Sequence, residues 1–436
     1  MDNLNFLYRD DCSVDAGEIE SLLKMLCPEI IHITQERACQ YDSQYAPLYL
    51  PDDVDLSSQI QALVAKKKKL QPKILIVIGI GGSNLGTKAV QEALQNRSDE
   101  NQPAVLYADT IDPDMIARLL QKTENVLKQG NAILLNIISK SGSTTETIVN
   151  ASLFIELLKQ YRPHDYQHYI VVTTEQDNKL WRFANEEGFD TLPIPAHIGG
   201  RYSVLSAVGL FPLALMNIDI QSLITGAASM MKRCQREDNE NYAAVSATLL
   251  YALYHKGFVI HDFFSFSTDL YGLGMWYRQL IAESIGKEYA RDGKRVQVGI
   301  TPIVSVGSTD LHSMVELHLG GPPNTVTTFV SVKQNNMNIL APCSQMIKLI
   351  IPFASNKSLA TIMDAMMQGA QYAYRTKQLP FTTIIFPQKS AWFVGQFIQW
   401  KLYEIVYLGY LFGINPFIQP QVELYKKETK AILNHE

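Results

Sequence analysis

The sequence predicts an α/β protein of two domains, each a mostly parallel sheet flanked by helices on both faces. A length of 436 residues exceeds what one ordinary hydrophobic core holds. Short runs rich in Ile and Val alternate with amphipathic stretches, which is typical of parallel strands covered by helices. This alternation occurs twice, before and after a helical stretch at about 203 to 256. It follows no fixed period, so a solenoid is excluded.

The composition is that of a globular protein whose partners are neither nucleic acid nor membrane. Hydrophobic residues make up 47% of the chain and charged residues 19%. Because Lys and Arg total 38 against 43 Asp and Glu, the net charge is -5 and nothing indicates a polyanionic partner. The N-terminal MDNLNFLYRDD lacks the regions of a secretory signal. The five cysteines include no C-x-x-C pair, so we expect a reducing cytoplasm.

The first domain is predicted over residues 46–235, after an N-terminal helical arm over 1–45 with helical spacing in AGEIESLLKML. Its strands are expected in KILIVIGI, AVLYAD, NAILLNIIS and YIVVTT. Its helices are expected in GTKAVQEALQ, DMIARLLQKT and TTETIVNASLFIELLKQ. The KKKK run at Lys66–Lys69 is expected to be a solvated helix end rather than an anion site.

The second domain is predicted over residues 236–405, followed by a tail over 406–436 with a closing helix. Its strands are expected in GFVIHDF, TPIVSVG, NTVTTFVSV and FTTIIFP, and its helices in LGMWYRQLIAESIG and SLATIMDAMMQGAQYAYRT. The long apolar stretch AWFVGQFIQWKLYEIVYLGYLFG predicts a buried helix rather than a membrane span. It is interrupted by four polar residues, Gln396, Gln399, Lys401 and Glu404.

A glycine-rich loop, GIGGSNLG from Gly79 to Gly86, follows the first predicted strand and opens a helix. The dinucleotide pattern G-x-G-x-x-G needs glycine where Asn84 stands, and no G-K-[ST] follows, so a nucleotide site is disfavoured. Glycine backbones and free helix-start amides favour an anion, with Gly82 and Ser83 as candidate ligands. For the loop alone, a tight turn with nothing bound is the alternative.

A second loop, SKSGSTTETIVN, follows another predicted strand and is crowded with hydroxyl groups. Its candidate ligands are Ser139, Lys140, Ser141 and Thr144. A helix cap requires only one hydroxyl, so the others are available to a ligand. Two such helix starts at the carboxyl ends of strands in one sheet predict a pocket for a small dianion, such as a sugar phosphate, without a metal.

Four further stretches place polar residues among apolar or glycine neighbours. They hold Gly200, Arg201, Glu283, His312, Gln419 and Lys426. Taken singly, each charged group has a structural explanation as an ion pair, a helix end or a solvated side chain. Together they supply a carboxylate to move a proton, a guanidinium to hold an oxyanion, and a His and a Lys to exchange protons with oxygens. Metal ligation and covalent serine catalysis are disfavoured, because no matching spacing or G-x-S-x-G accompanies these residues.

Six motifs in order, GIGGSNLG, SKSGSTTET, GGRYSVLS, AESIGK, STDLHS and QPQVELYK, resemble the glucose-6-phosphate isomerase (phosphoglucose isomerase) family. The resemblance spans roughly residues 70–430. It implies two sugar-isomerase (SIS) domains, a cytoplasmic homodimer, no cofactor, and interconversion of glucose 6-phosphate and fructose 6-phosphate.

The resemblance also implies roles for the phosphate loops. The matching phosphate-binding residues are Ser83, Ser139, Lys140, Ser141 and Thr144. Near the reacting carbons, the resemblance places Gly200 with Arg201 and makes Glu283 the base that moves a proton between carbons 2 and 1.

For ring opening, the resemblance implies His312 and Lys426, with the histidine contributed by the partner subunit. Glu146 matches a carboxylate that orients this histidine, and Gln419 matches a substrate contact. A non-catalytic sugar-phosphate-binding regulator has no need of Glu283, His312 and Lys426 together. Whether mannose 6-phosphate is also accepted stays open.

Two positions depart from the family's last motif, Asp-Gln-x-Gly-Val-Glu. Ile418 stands in place of its Asp, and Gln421 in place of its Gly. These departures bear on the geometry that holds Gln419, and less on Lys426.

Overall fold

The computed structural model describes residues 3–94 and 102–435. In chain order the strands are β1 (Asn5–Leu7), β2 (Ile74–Ile78), β3 (Ala104–Ala108), β4 (Ile133–Ile138), β5 (Ile170–Thr174), β6 (Asp190–Pro193), β7 (Ile260–Ser265), β8 (Lys287–Tyr289), β9 (Arg295–Val298), β10 (Thr301–Val306), β11 (Thr325–Gln334) and β12 (Phe381–Gln388). The helices are α1 (Ala16–Glu36), α2 (Val54–Lys68), α3 (Leu85–Leu94), α4 (Pro113–Lys128), α5 (Thr145–Tyr161), α6 (Lys179–Glu186), α7 (Ala207–Leu215), α8 (Ile220–Cys234), α9 (Tyr242–His255), α10 (Tyr271–Ile285), α11 (Val315–Gly320), α12 (Gln345–Ile350), α13 (Leu359–Thr376), α14 (Ala391–Leu411) and α15 (Val422–His435).

The first sheet is parallel throughout, in the order β3-β2-β4-β5-β6. Successive residues of β2 enter different cores, because side chains alternate across a strand. Leu75 and Val77 belong to one hydrophobic cluster, whereas Ile74 and Ile76 belong to another. Helices therefore cover both faces, as the continuous apolar runs predict.

The second sheet has the order β1-β12-β11-β7-β10 and is parallel except for β1, which runs antiparallel to β12. Phe263 and Phe264 of β7 point into separate cores. The predicted α/β architecture is thus confirmed for both sheets. The strand β1 was not expected within the predicted helical arm, because three residues are too short for alternation to indicate a strand.

The long apolar stretch forms the buried helix α14, which packs against α8 and α9. Its interior polar side chains have partners: Lys401 Nζ lies 2.6 Å from Glu404 Oε2, and Gln399 donates to the Leu48 carbonyl at 3.3 Å. The prediction of a buried helix is confirmed. Among the described residues, none of the helices combines the length and the apolar character that crossing a bilayer requires.

The lysine run at the end of α2 differs from the expected solvated helix end. Lys67 is completely buried, and its Nζ lies 2.7 Å from Asp190 Oδ2. It also donates to the Ile170 carbonyl at 3.4 Å. The expectation was wrong for Lys67 because α2 ends against β5 and β6, where a carboxylate and a carbonyl compensate the buried charge. Lys66 remains mostly exposed and pairs with the same Asp190.

Candidate active site

The two predicted anion-binding loops adjoin at one edge of the first sheet. β2 and β4 are neighbouring parallel strands with Ile78 level with Ile137, so the loops that follow them start together. A Cβ atom added at Gly79 would lie 2.8 Å from Ser83 Cβ and 3.0 Å from the Ile138 carbonyl oxygen. The glycine loop therefore rests against the end of β4, where the second loop begins.

The glycine loop turns tightly between β2 and α3. Gly81 has a φ of +57°, in the left-handed region that glycine adopts without strain. Asn84 is buried, and its side-chain amide donates to the Gly79 carbonyl at 2.9 Å. This bond closes the loop on itself and accounts for an asparagine where a dinucleotide loop has glycine.

The second loop gathers hydroxyl groups at the start of α5. Ser139 Oγ and Thr144 Oγ1 are 2.9 Å apart, and Ser141 Oγ accepts a bond from the Ser143 backbone N–H at 3.3 Å. Glu146 lies in the first turn of α5, partly exposed. Several hydroxyls thus lie together at a helix start, where backbone amides are also free for a ligand.

Lys140 lies within this loop and is tied to the rest of the domain. Its ammonium donates to the Ala196 carbonyl, and Asn178 Nδ2 donates to the Lys140 carbonyl at 3.0 Å. Burial lowers the pKa of the Lys140 ammonium, and the charge of Arg201 lowers it further. A partly buried cation therefore stands beside the hydroxyls and within electrostatic reach of Arg201.

Arg201 is the centre of a buried polar cluster and is only 1% exposed. Its Nη1 lies 3.1 Å from Glu283 Oε1 and donates to Gln419 Oε1 at 2.8 Å. Its Nε donates to Ser284 Oγ at 2.7 Å, and its Nη2 donates to the Pro416 carbonyl at 2.6 Å. One guanidinium thereby joins the end of α10 to the segment that precedes α15.

Glu283 lies in the last turn of α10, partly exposed, with its two carboxylate oxygens held by different donors. Oε1 faces Arg201, and Oε2 accepts a bond from Gln279 Nε2 at 3.0 Å. Gln279 Nε2 in turn lies 3.2 Å from the position of a Cβ added at Gly81. A single side chain therefore separates the Glu283 carboxylate from the glycine loop.

Gln279 is not among the residues that the sequence singles out. It precedes Glu283 by four positions on the same helix, the spacing at which helical side chains meet. That spacing is the signal that could have found it. Among the described residues, Gln279 Oε1 is buried without a hydrogen-bond partner, so the amide retains an acceptor for a ligand hydroxyl.

His312 and Lys426 lie apart from this cluster. His312 follows β10 in an exposed turn. Lys426 lies on α15, is 47% exposed, and its Nζ is 2.7 Å from Glu423 Oε1. Within the described ranges, no hydrogen bond or ion pair joins either residue to Arg201 or Glu283. A single chain thus brings together the two predicted anion-binding loops, Arg201, Glu283 and Gln419, but not the predicted ring-opening pair.

A cavity of about 390 Å³ opens beside Glu283 and Gln419. Both departures from the family motif, Ile418 and Gln421, line it. Gln421 Nε2 donates to Glu288 Oε2 at 2.8 Å. Gln419 keeps its bond to the buried guanidinium despite the two substitutions beside it.

The fold and the residues of this candidate site define a class of protein. Hydroxyl-rich loops at the carboxyl ends of neighbouring parallel strands are typical of α/β proteins that bind small phosphorylated ligands. The pair of buried Arg201 and partly exposed Glu283 beside them can move a proton and stabilise an oxyanion. No cluster of three or more metal-ligating His, Cys, Asp or Glu residues occurs among residues 3–94 and 102–435. The class is that of α/β sugar-phosphate isomerases.

Comparison with known proteins narrows the class to a family. Residues 64–436 match the family model described as phosphoglucose isomerase. A relative from Carboxydothermus hydrogenoformans, named glucose-6-phosphate isomerase, is 33% identical over 397 residues, which covers 89% of this chain and 84% of the relative. The chain belongs to the phosphoglucose isomerase family.

Solved structures share this fold over nearly the whole chain. A crystal structure of a hypothetical protein from Thermus thermophilus has a TM-score of 0.87 and 28% identity, with 99% of each chain covered. A glucose-6-phosphate isomerase from Chlamydia trachomatis has a TM-score of 0.84 and 21% identity, covering 99% of this chain and 88% of its own. The second similarity is one of fold.

Proposed function

We propose that the chain is an aldose–ketose isomerase that interconverts glucose 6-phosphate and fructose 6-phosphate. The observation that carries this proposal is the Arg201–Glu283 pair, 3.1 Å apart and separated from the glycine loop by the Gln279 side chain. Membership of the phosphoglucose isomerase family supports the same activity. The reaction moves a hydrogen between neighbouring carbons of one molecule, so it requires no external oxidant and no cofactor.

The substrate's phosphate binds between the two loops. A dianion gains charge-assisted hydrogen bonds from hydroxyls, backbone amides and the Lys140 ammonium. The hydroxyl donors are Ser83, Ser139, Ser141 and Thr144, with the Gly82 backbone beside them. The adjoining positions of the two loops support this assignment.

Glu283 removes the proton from carbon 2 of the open-chain sugar and returns it to carbon 1. The intermediate is a cis-enediolate, and Arg201 stabilises its negative charge, with the Gly200 backbone beside the reacting carbons. The guanidinium is anchored by Ser284 and Pro416, so it needs little reorganisation during the reaction. Gln279 orients the second carboxylate oxygen of Glu283 and offers its free Oε1 to a sugar hydroxyl.

Ring opening is carried out by His312 and Lys426, which exchange protons with the ring oxygen and its neighbouring hydroxyl. His312 enters the site of a partner subunit, where Glu146 orients it and Gln419 contacts the sugar. The separation of His312 from the Arg201–Glu283 pair within one chain supports this arrangement in a homodimer.

An exposed arm, residues 333–359, supports the homodimer. Its exposed large apolar side chains are Met337, Ile339, Leu340, Met346, Leu349, Ile350, Ile351, Phe353 and Leu359. Exposed clusters of large apolar side chains mark protein interfaces. The arm also carries Lys333, Lys348 and Lys357 but no acidic residue, whereas the whole chain has a net charge of -5. Because the charge of the arm is opposite to the net charge of the chain, docking of the arm on a second copy is favoured.

We assign the protein to the cytoplasm, since all five cysteines are free thiols and free thiols are typical of reducing compartments. The domain limits predicted from the sequence, 46–235 and 236–405, remain a proposal.

A non-catalytic regulator is disfavoured, because binding alone has no use for a base held between an arginine and a glutamine.

A coupled assay tests the proposal. Purified protein is given fructose 6-phosphate and a reporter enzyme specific for glucose 6-phosphate, and we expect product. Glu283→Gln keeps the shape but removes the proton acceptor, so turnover should fall roughly 100- to 10,000-fold. In deuterated solvent, wild-type protein should exchange the carbon 2 hydrogen and Glu283→Gln should not.

Glu288→Gln is the matched control, since Glu288 lines the same cavity without contacting Arg201. It should keep wild-type turnover. Persistent hydrogen exchange in Glu283→Gln would exclude Glu283 as the base. No product from the wild-type protein would favour the sugar-phosphate-binding regulator instead.

A further inference from the structure

A single ammonium group caps the end of the helix that carries Glu283. Lys287 follows α10, and its side chain turns back so that Nζ donates to the Glu283 carbonyl at 2.7 Å and the Ser284 carbonyl at 2.8 Å. The Gly286 carbonyl lies 3.4 Å from the same nitrogen. Carbonyls at a helix end have no partner within the helix, so Lys287 supplies the bonds they lack.

The backbone of Lys287 is held by a different element. Lys287 begins β8 and pairs with Val298 of β9, and its side chain is only 9% exposed. The β8–β9 hairpin therefore fixes the backbone of Lys287, while the ammonium at the tip of the Lys287 side chain holds the end of α10. Ser284, in the same turn, binds Arg201 through its hydroxyl. A shift of this last helical turn would move Glu283 together with Ser284, the partner of Arg201.

The charges around the Lys287 ammonium are mixed. Arg201 is positive and Glu283 negative, and Lys287 itself lines the cavity beside Glu283 and Gln419, together with Glu288 and Arg291. Burial lowers the pKa of Lys287 to about 8, and the charge of Arg201 contributes in the same direction. Lys287 forms no ion pair in the described part of the chain, so its charge is balanced chiefly by helix-end carbonyl dipoles.

We propose that Lys287 is a positioning residue whose ammonium, by capping the carbonyls of Glu283 and Ser284, holds the Glu283 carboxylate against Arg201. This inference rests on the proposed role of Glu283 as the base. When the ammonium loses its proton, the cap loses a donor and its charge, the last turn of α10 loosens, and turnover falls. The enzyme therefore has an alkaline limit set by the ammonium that caps the end of α10.

Two substitutions test this role through the pH profile of kcat. Lys287→Met keeps the apolar stem and removes the ammonium, so kcat should fall at least about tenfold with little change in KM, and the decline near pH 8 should disappear. Lys287→Arg keeps a cation that does not titrate in this range, so it should recover much of kcat without that decline. Lys294→Met, in the turn of the same hairpin and 82% exposed, should match the wild-type protein.

Amide hydrogen exchange provides a readout independent of activity. The Gly286 N–H bonds the Ala282 carbonyl at 3.1 Å, and it should exchange faster in Lys287→Met than in the wild-type protein or Lys294→Met. Wild-type kcat, pH profile and exchange in Lys287→Met would overturn the proposal. If Lys287→Met fails to fold, a decline near pH 8 that persists in Lys287→Arg overturns it. Failure of Glu283 as the base would appear separately, in the carbon 2 exchange experiment.

Discussion

Gly82 lies directly against Gly200: a Cβ atom added at Gly82 would be 2.0 Å from the Gly200 carbonyl carbon and 2.4 Å from the Arg201 backbone nitrogen. Ser203 Oγ also donates to the Gly82 carbonyl at 3.3 Å. The glycine loop and the turn that carries the arginine therefore meet backbone to backbone. This contact fixes the distance between the glycine loop and Arg201.

Gly82→Ala should damage both stability and turnover, because the added methyl group can enter only by pushing the loop away from Gly200. We expect a loss of roughly 1–3 kcal/mol in the free energy of unfolding, as for other overpacked sites. kcat/KM should fall about 100-fold, since small displacements of positioning groups cost this much. Gly369→Ala on α13 is the control, because nothing lies within 4 Å of its added Cβ. Wild-type kcat/KM in Gly82→Ala would contradict the prediction.

Arg201→Lys should separate turnover from phosphate binding. One ammonium cannot replace the four contacts of the guanidinium, so kcat should fall about 100-fold or more. The Kd of a polyol phosphate that cannot be isomerised should stay within about threefold, because the phosphate loops are unchanged. Arg236→Lys, at an exposed ion pair, should change neither value. A loss of affinity as large as the loss of kcat would show that Arg201 serves mainly in binding.

Complementation tests whether His312 acts in the partner's site. Glu283→Gln and His312→Ala should each be inactive as homodimers. A heterodimer of the two has one site with both native residues if the histidine comes from the other subunit. Random pairing then restores about a quarter of wild-type activity per chain. The measurement is the activity of co-expressed, differently tagged chains, and an inactive heterodimer would place both residues in one subunit.

The ionisation of Asp262 should make the stability of the protein depend on pH. It is buried on β7, where Ser305 Oγ donates to its Oδ2 at 3.0 Å. Burial raises the pKa of this carboxyl to about 7, and the charge of Asp310 adds to the increase. The ordinary value in an unfolded chain is about 3.9. Between these values the folded state binds more protons, so the stability that Asp262 contributes falls as pH rises through about 7.

Replacing Asp262 with Asn removes this titration. Relative to Asp262→Asn, the wild-type protein should lose roughly 2–3 kcal/mol of unfolding free energy between pH 5 and pH 8. Denaturant unfolding at both pH values gives the comparison, and the neighbouring His318 is present in both proteins. Asp364→Asn, at an exposed position on α13, should follow the wild-type protein. Parallel curves for wild type and Asp262→Asn would contradict the prediction.

The secondary structure was predictable wherever an apolar run is bounded by polar or turn residues. The short Ile- and Val-rich runs of β2 and β4 are strands in which every residue is buried, and the much longer apolar run of α14 is a buried helix, both as expected. The strand β6, by contrast, contains Asp190, Thr191 and Pro193, and its composition is typical of a loop. It is a strand because it pairs with β5, a condition that no local pattern encodes.

The sequence by itself determined the two α/β sheets, the hydroxyl-rich loops at the ends of β2 and β4, and the set of charged groups available for chemistry. Only the tertiary structure decided that Arg201 binds Glu283 and Gln419 at once, that Gln279 lies between Glu283 and the glycine loop, and that Lys67 is buried on Asp190. The physical reason is the distance along the chain over which each signal acts. Periodicity within one element reports which face is buried, whereas the partner of a polar side chain depends on how distant elements pack.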